Sequence, residues 1–342
     1  MQFNYVPYME WFSVGRQAWL DQVLEEIVEP DLPIIDPHHH LWSYSGVDYL
    51  AEQFFRDTDS GHLVKKTVYV KCNSEYRECG PEHLKPLGET EFALRQAKKF
   101  EKLGNTVIAG IVGYADMRLR DGLEDVLDQH LELSEGRFKG VRHSAARAEY
   151  PEALHIPGNA PEGLYQDSEF RNGLKILGSK GLTFDACHYH YQNQDFISLA
   201  HSVPDTILVL NHFGVPLGMG PYAQRRKEIL AQMKEDLRNM SECENVVLKL
   251  GGLAMPDNGF GWENNPKPPT SDEFAKAQKE YYLHAIDCFG PNRCMMESNF
   301  PVDRNSLSYA VLFNGMKKIV ADFSDMEKRK LFHDTAARIY RL

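Results

Sequence analysis

Apolar and β-branched residues gather in eight short runs, at residues 33–36, 67–70, 107–112, 138–141, 182–186, 206–210, 246–250 and 294–297. Most are apolar throughout, the pattern of strands covered on both faces of a sheet. Between them the apolar positions take helical spacing, over residues 89–103, 123–133, 168–179, 195–202, 223–240 and 271–288, with a last helical stretch at 325–341. Strands joined by helices are parallel, and eight closing on themselves form an α/β TIM barrel. An open doubly wound sheet is the rival. No GxGxxG follows the first run, however, and polar residues cluster just after several different runs, where a barrel carries its site.

Ahead of the first run, Trp19, Leu20, Val23, Leu24 and Ile27 predict an amphipathic helix over residues 13–29, capped by Ser13 and stopped by Pro30. The expected organisation is an N-terminal extension at residues 1–30, packed on one barrel at residues 31–342. Long connections follow the strands at 73–88, 144–167, 213–222 and 251–270. The last reads as a lid, because Gly251 and Gly252 can hinge and Phe260 and Trp262 can exclude water.

Composition narrows the function. With 42% hydrophobic and 25% charged residues in 342, the chain can bury a large core, which excludes disorder. Its net charge of −11 argues against nucleic acid or an anionic membrane as partner. Six cysteines without CxxC spacing read as buried thiols in a reducing compartment. No apolar run reaches the roughly 20 residues of a membrane span, and no signal-peptide pattern opens the chain. The expectation is a cytoplasmic protein acting on a small molecule, with association into a homo-oligomer left open.

The chemistry begins at Asp36-Pro37-His38-His39-His40, beside the first strand. Side chains two apart on an extended segment point the same way, so His38 and His40 project together into the barrel mouth. Two imidazoles sharing one ion are the obvious use; a hydrogen-bonded turn is the plainer alternative. His212, after the sixth strand, completes a three-nitrogen set that leaves a position open for water, as catalytic zinc sites do. His188 and His190, after the fifth strand, are candidates for a fourth ligand or a substrate contact, and equally for structural histidines. Lys71, Arg142 and Lys249 lie at other strand ends or within a strand. Structural ion pairs are the alternative for each, but together they suggest an anionic substrate, with Arg142 able to clamp a carboxylate bidentately.

Ile35 through Trp42, Lys139-Gly140-Val141-Arg142-His143, His212-Phe213-Gly214, Ser298-Asn299-Phe300-Pro301-Val302-Asp303 and the closing Phe332-His333-Asp334-Thr335-Ala336-Ala337-Arg338-Ile339-Tyr340 resemble, in that order, the amidohydrolase superfamily. The similarity is to its amidohydrolase-2 branch, in the lactonase group that contains fuconolactonase and pyrone-dicarboxylate lactonase. The resemblance implies a distorted TIM barrel that hydrolyses esters, lactones or amides, with an HxH after strand one, a histidine after strand six and an aspartate after strand eight. His38, His40 and His212 match that pattern. The last position does not: Asn299 stands where the family has Asp, and a neutral amide cannot accept water's proton. Glu297 and Asp303 are the nearby carboxylates able to substitute.

Two hydrolytic mechanisms follow. In one, a divalent ion, zinc or manganese, is held by His38, His40 and His212. In the other, metal-free, the histidines stabilise the oxyanion and one of them or Glu297 activates water. The expected reaction is opening of a small carboxylated or polyhydroxylated lactone, with Arg142 and Lys249 or Lys71 fixing an anionic or sugar-derived substrate. A metal-dependent non-oxidative decarboxylase of an aromatic or unsaturated acid is the alternative. A barrel that merely binds a small molecule is the third reading, and it rests on Asn299 alone.

Overall fold

The structure, a computed structural model, describes residues 16–44 and 47–342. Eight parallel strands follow one another around a barrel: β1 (Ile34–His39), β2 (Val64–Val70), β3 (Val107–Gly113), β4 (Phe138–Val141), β5 (Thr183–Ala186), β6 (Leu208–Leu210), β7 (Val246–Leu250) and β8 (Cys294–Met296). Each is followed by a helix: α1 (Ala51–Thr58), α2 (Leu87–Phe100), α3 (Leu123–Leu133), α4 (Ser168–Ser179), α5 (Asn193–Ser202), α6 (Arg226–Ser241), α7 (Ser271–Phe289) and α8 (Tyr309–Ile319). Every predicted strand is present, and the helical period located α2 to α7 to within a few residues.

Closure between β8 and β1 is made just beyond the strand ends. The Asn299 N–H donates to the His38 carbonyl at 2.9 Å, and the His40 N–H donates to the Phe300 carbonyl at 2.7 Å. Asp36 rivets the seam. Its carboxylate accepts from the Ser298 N–H at 2.9 Å, the Ser298 hydroxyl at 2.6 Å and the Tyr309 hydroxyl at 3.1 Å. Burial nevertheless pushes its pKa up to about 6, against the opposing pull of those donors.

The apolar strands face two cores. One lies between the strands and the helix ring. The other fills the barrel itself, where Ile35, Val68, Val70, Val112, Val209, Val247 and Met295 meet Ala336, Ile339 and Tyr340. Those last three belong to the C-terminal segment, in which α9 (Asp325–Arg329), a π-helical turn (Lys330–Asp334) and α10 (Thr335–Tyr340) plug one end of the barrel. The interior is thus packed solid below the site.

Three sequence expectations are corrected. The N-terminal helix covers only Gln17–Leu20 among the described residues, and the cap expected at Ser13 lies outside them. Beyond it the chain is tied to α7 and α8: Glu25 accepts from Ser271 and Asn314, and the Val28 N–H donates to Asn314, so tertiary bonds replace helical ones. The period also missed α1 and α8. Helix α8 is buried on nearly every side, with Gly315 against the Phe274 ring of α7 and the polar Asn314 and Lys317 bonded to the N-terminal segment. Finally, the final helical stretch is broken by its π turn.

The loop after β7 lies folded down, with residues 251–258 buried. Asp257 pins it to the loop after β4, accepting from the His155 and Ile156 N–H groups at 2.8 and 3.0 Å. Among the described residues no helix is long and apolar enough to cross a membrane.

Candidate active site

Side chains alternate along a strand, so the apolar layer predicts what stands above it. Two residues beyond Val209, Val247 and Met295 come Asn211, Lys249 and Glu297, and β5 contributes Asp185. All four are buried. This polar layer separates the apolar plug from the histidines. On β1 the pairing register shifts between Asp36 and His39, beside Pro37. His38 and His40 then face one space, with their Nε2 atoms 3.2 Å apart, while His39 turns away to stack on Phe54 at 4.0 Å.

Glu297 is the centre of the site. Its Oε1 lies 2.7 Å from His212 Nδ1 and its Oε2 lies 2.8 Å from His38 Nδ1. Room for these contacts comes from β7's exit, because a methyl group on Gly251 would collide with Glu297 and one on Gly252 with His212. His212 itself is held at φ 54° in a left-handed stretch that continues through Phe213, Gly214 and Val215. Non-glycine residues are held there only when their surroundings fix them, commonly at functional sites. Burial, and next Lys249 for His38 and Arg142 for His40, push both imidazole pKa values well below the usual range, so both rings are neutral.

Arg142 reaches the opposite edge of His38, with its guanidinium 3.3 Å from Nε2 and a second nitrogen donating to the Lys71 carbonyl. Lys71 donates to Asn73 at 2.7 Å and sits 4.8 Å from the Tyr114 ring centre; burial lowers its pKa to about 8. Arg142 therefore borders His38, while the Lys71 ammonium lies with Asn73 and Tyr114. Lys249 differs. Its ammonium is fully buried, bound to Asp185 at 2.6 Å and 3.3 Å from His38 Nδ1, which leaves no face for the substrate contact expected of it.

His188 and His190 are not brought to this cluster. His188 is enclosed, with its nitrogens taken by the Tyr165 hydroxyl and the Asn193 side chain. His190 accepts from the Leu217 N–H and packs edge-on against Tyr222. Asn299 shares the left-handed geometry of His212, at φ 54°, and its amide donates to Asp303 at 2.9 Å. Asp303 also accepts from the Ala254 N–H at 3.1 Å, so its carboxylate is engaged away from the histidines. Sequence reasoning passed over Asp185. The available signal was a charge inside the apolar run at 182–186, the counterpart of Lys249.

Among the described residues, His38, His212 and Glu297 form the one group whose ligand atoms converge, within 4.8 Å of one another. His40 lies beside this group: a 2.7 Å bond from its Nδ1 to the Val70 carbonyl leaves Nε2, 3.2 Å from His38 Nε2, as the acceptor. Two imidazoles and a carboxylate make a zinc donor set. Glu297 Oε2 adds a second sign: despite its closeness to His38 it is buried with no hydrogen bond, an acceptor that a cation would satisfy. The residues therefore fit a divalent metal.

Comparison with known proteins agrees with this architecture. A family model described as amidohydrolase matches residues 35–342. A protein of Sinorhizobium fredii, y4mH, is 32% identical over 340 residues, covering 91% of this chain and 99% of its own. The L-fucono-1,5-lactonase of Burkholderia multivorans is 24% identical over 318 residues, covering 90% of this chain and 96% of its own. An amidohydrolase crystal structure from Burkholderia multivorans with bound zinc superposes with a TM-score of 0.69 at 23% identity, over 90% of this chain and 99% of that one.

Proposed function

The chain belongs to the amidohydrolase family and is a hydrolase, and from that premise we propose that it opens a small carboxylated or polyhydroxylated lactone at the ring C–O bond. The observation that carries this reading is the Glu297 carboxylate set between His38 and His212, with Arg142 at the far edge of His38. The lactonase from Burkholderia multivorans, matched along nearly its whole length, supports the substrate class. The zinc in the related crystal structure supports a metal held by His38, His212 and Glu297, with His40 alongside.

Bound there, zinc would lower the pKa of a water and polarise the lactone carbonyl. The residues do the rest. Glu297, which replaces the expected strand-eight aspartate, takes the proton as water oxygen adds to the carbonyl carbon. The donors of Arg142 face the growing charge on the carbonyl oxygen, and Lys71 with Arg142 holds the substrate's carboxylate or hydroxyl groups. When the ring C–O bond breaks, the proton held by Glu297 passes to the departing oxygen, giving a hydroxy acid. A lactone suits this equipment, because an alkoxide leaves more readily than an amine, which needs a strong proton donor.

The free cysteines and the lack of a membrane-crossing helix among the described residues fit action in the cytoplasm. The experiment is a panel of sugar lactones and unsaturated dicarboxylic lactones followed by acid release, with elemental analysis of protein purified without chelator. Opening of at least one lactone by metal-containing enzyme is expected. If no lactone is opened and an aromatic or muconate-type acid instead loses carbon dioxide, the reaction is decarboxylation.

A further inference from the structure

Beneath the histidines lies a buried ion pair that the reaction described above does not use. Asp185 of β5 and Lys249 of β7 are both 0% exposed, and their charged atoms meet at 2.6 Å. The carboxylate is anchored from two further sides: the Tyr340 hydroxyl of α10 donates to it at 3.0 Å, and the Asn211 amide of β6 at 3.1 Å. So held, the ammonium directs a remaining proton at His38 Nδ1, 3.3 Å away, the same ring edge that Glu297 meets. Two well-packed apolar residues could stabilise the barrel equally well, since a buried ion pair commonly gains little over them. What an apolar pair cannot supply is a fixed donor at the edge of an imidazole, and outer partners of this kind set the orientation and tautomer of functional histidines.

We propose that Lys249 and Asp185 are positioning residues, which lock the His38 ring with Nδ1 toward the ammonium, beside Glu297, and Nε2 toward His40 and Arg142. Tyr340 extends the lock to the C-terminal helix, so that α10 does more than plug the barrel: it braces the floor of the site. The inference rests on the reading of His38 as a site residue, and its test separates the two.

The pair is best replaced together, as Asp185→Asn with Lys249→Met, because removing one partner strands a buried charge. Tyr340→Phe is the milder variant, which deletes a single hydroxyl. Histidine-selective 15N spectra of the full chain, stripped of metal by chelator, report the His38 nitrogens, identified by their loss in His38→Gln. In the double variant these resonances are expected to move while those of the remote His130 stay, with thermal stability close to that of the wild type. In Tyr340→Phe they should move less, in the same direction. On any lactone the wild type opens, kcat should fall by about 10–100-fold with KM unchanged. Unmoved His38 resonances in folded double variant, with kcat within about twofold of wild type, would overturn the proposal. A wild type that opens no lactone overturns the lactonase reading instead, and the spectra still decide the role of the pair.

Discussion

Glu297 Oε1 and His212 Nδ1 lie 2.7 Å apart across the top of the barrel, joining the exits of β8 and β6. The contact fixes which edge of the imidazole faces inward, and it accompanies a His212 backbone at φ 54° that an unconstrained histidine would leave. Orientation of one side chain and strain in another are thus parts of a single arrangement.

Glu297→Gln preserves shape and hydrogen-bond reach but removes the charge and the basicity. If Glu297 is both base and ligand, kcat should fall by about 100-fold or more, and zinc content per chain should fall with it. Steady-state kinetics and elemental analysis on the same preparation check this. A variant retaining wild-type kcat would move the proton transfer to another residue.

Gly252→Ala tests the space behind the same contact. The glycine has φ 71°, and an added methyl group would strike the His212 ring. The backbone term alone costs about 1 kcal/mol in an L residue, a shift of about 1–2 °C in Tm for a chain of this size. Displacement of His212 should act on kcat much more strongly. Parallel melting curves and rate measurements distinguish the two effects, and a fall in Tm with unchanged kcat would show that the His212 position is not critical.

Arg142→Ala should discriminate between substrates. A guanidinium that pairs with a substrate carboxylate contributes nothing equivalent to a neutral lactone, so kcat/KM for carboxylated lactones should drop by about 10–100-fold more than for neutral ones. Equal losses on both classes would instead place Arg142 at the carbonyl oxygen alone, as its 3.3 Å approach to His38 Nε2 also allows.

Much of this was legible in the sequence. The barrel was visible because buried parallel strands are apolar end to end, and His38, His40, Arg142 and His212 stood out as polar residues at strand exits. What escaped depended on three-dimensional pairing. Lys249 looked like a substrate contact because the run at 246–250 does not reveal that Asp185, two strands away, neutralises it. His188 and His190 repeated the HxH spacing, yet only on an extended segment does that spacing make two rings converge, and His190 opens a 3₁₀ turn. Nearness to Asn299 in the sequence left Glu297 and Asp303 as candidates for the replacement carboxylate, and Asp303's bonds to Asn299 and Ala254 separate the two.

Acid sensitivity offers a prediction outside the site. His130 on α3 stacks on Phe138, and its nitrogens are bonded to the Thr90 hydroxyl at 2.8 Å and the Tyr114 carbonyl at 2.9 Å. Burial depresses its pKa to about 4, and the Tyr114 bond only partly opposes this. Above the unfolded value of about 6.5 the ring is neutral in both states, and its full contribution to stability is present. As pH falls below that value the unfolded chain takes up a proton that the folded state refuses, so stability is lost progressively down to the folded pKa. Between pH 7 and pH 5 the loss from this one group is about 2 kcal/mol. His62 and His188 are depressed to about 4 by burial as well, so the whole domain should weaken steeply over the same range. Urea unfolding across that range should show this slope, and His130→Gln, which cannot titrate, should be flatter by close to one proton. A variant with the wild-type slope would mean that His130 takes up its proton equally in the folded and unfolded chain.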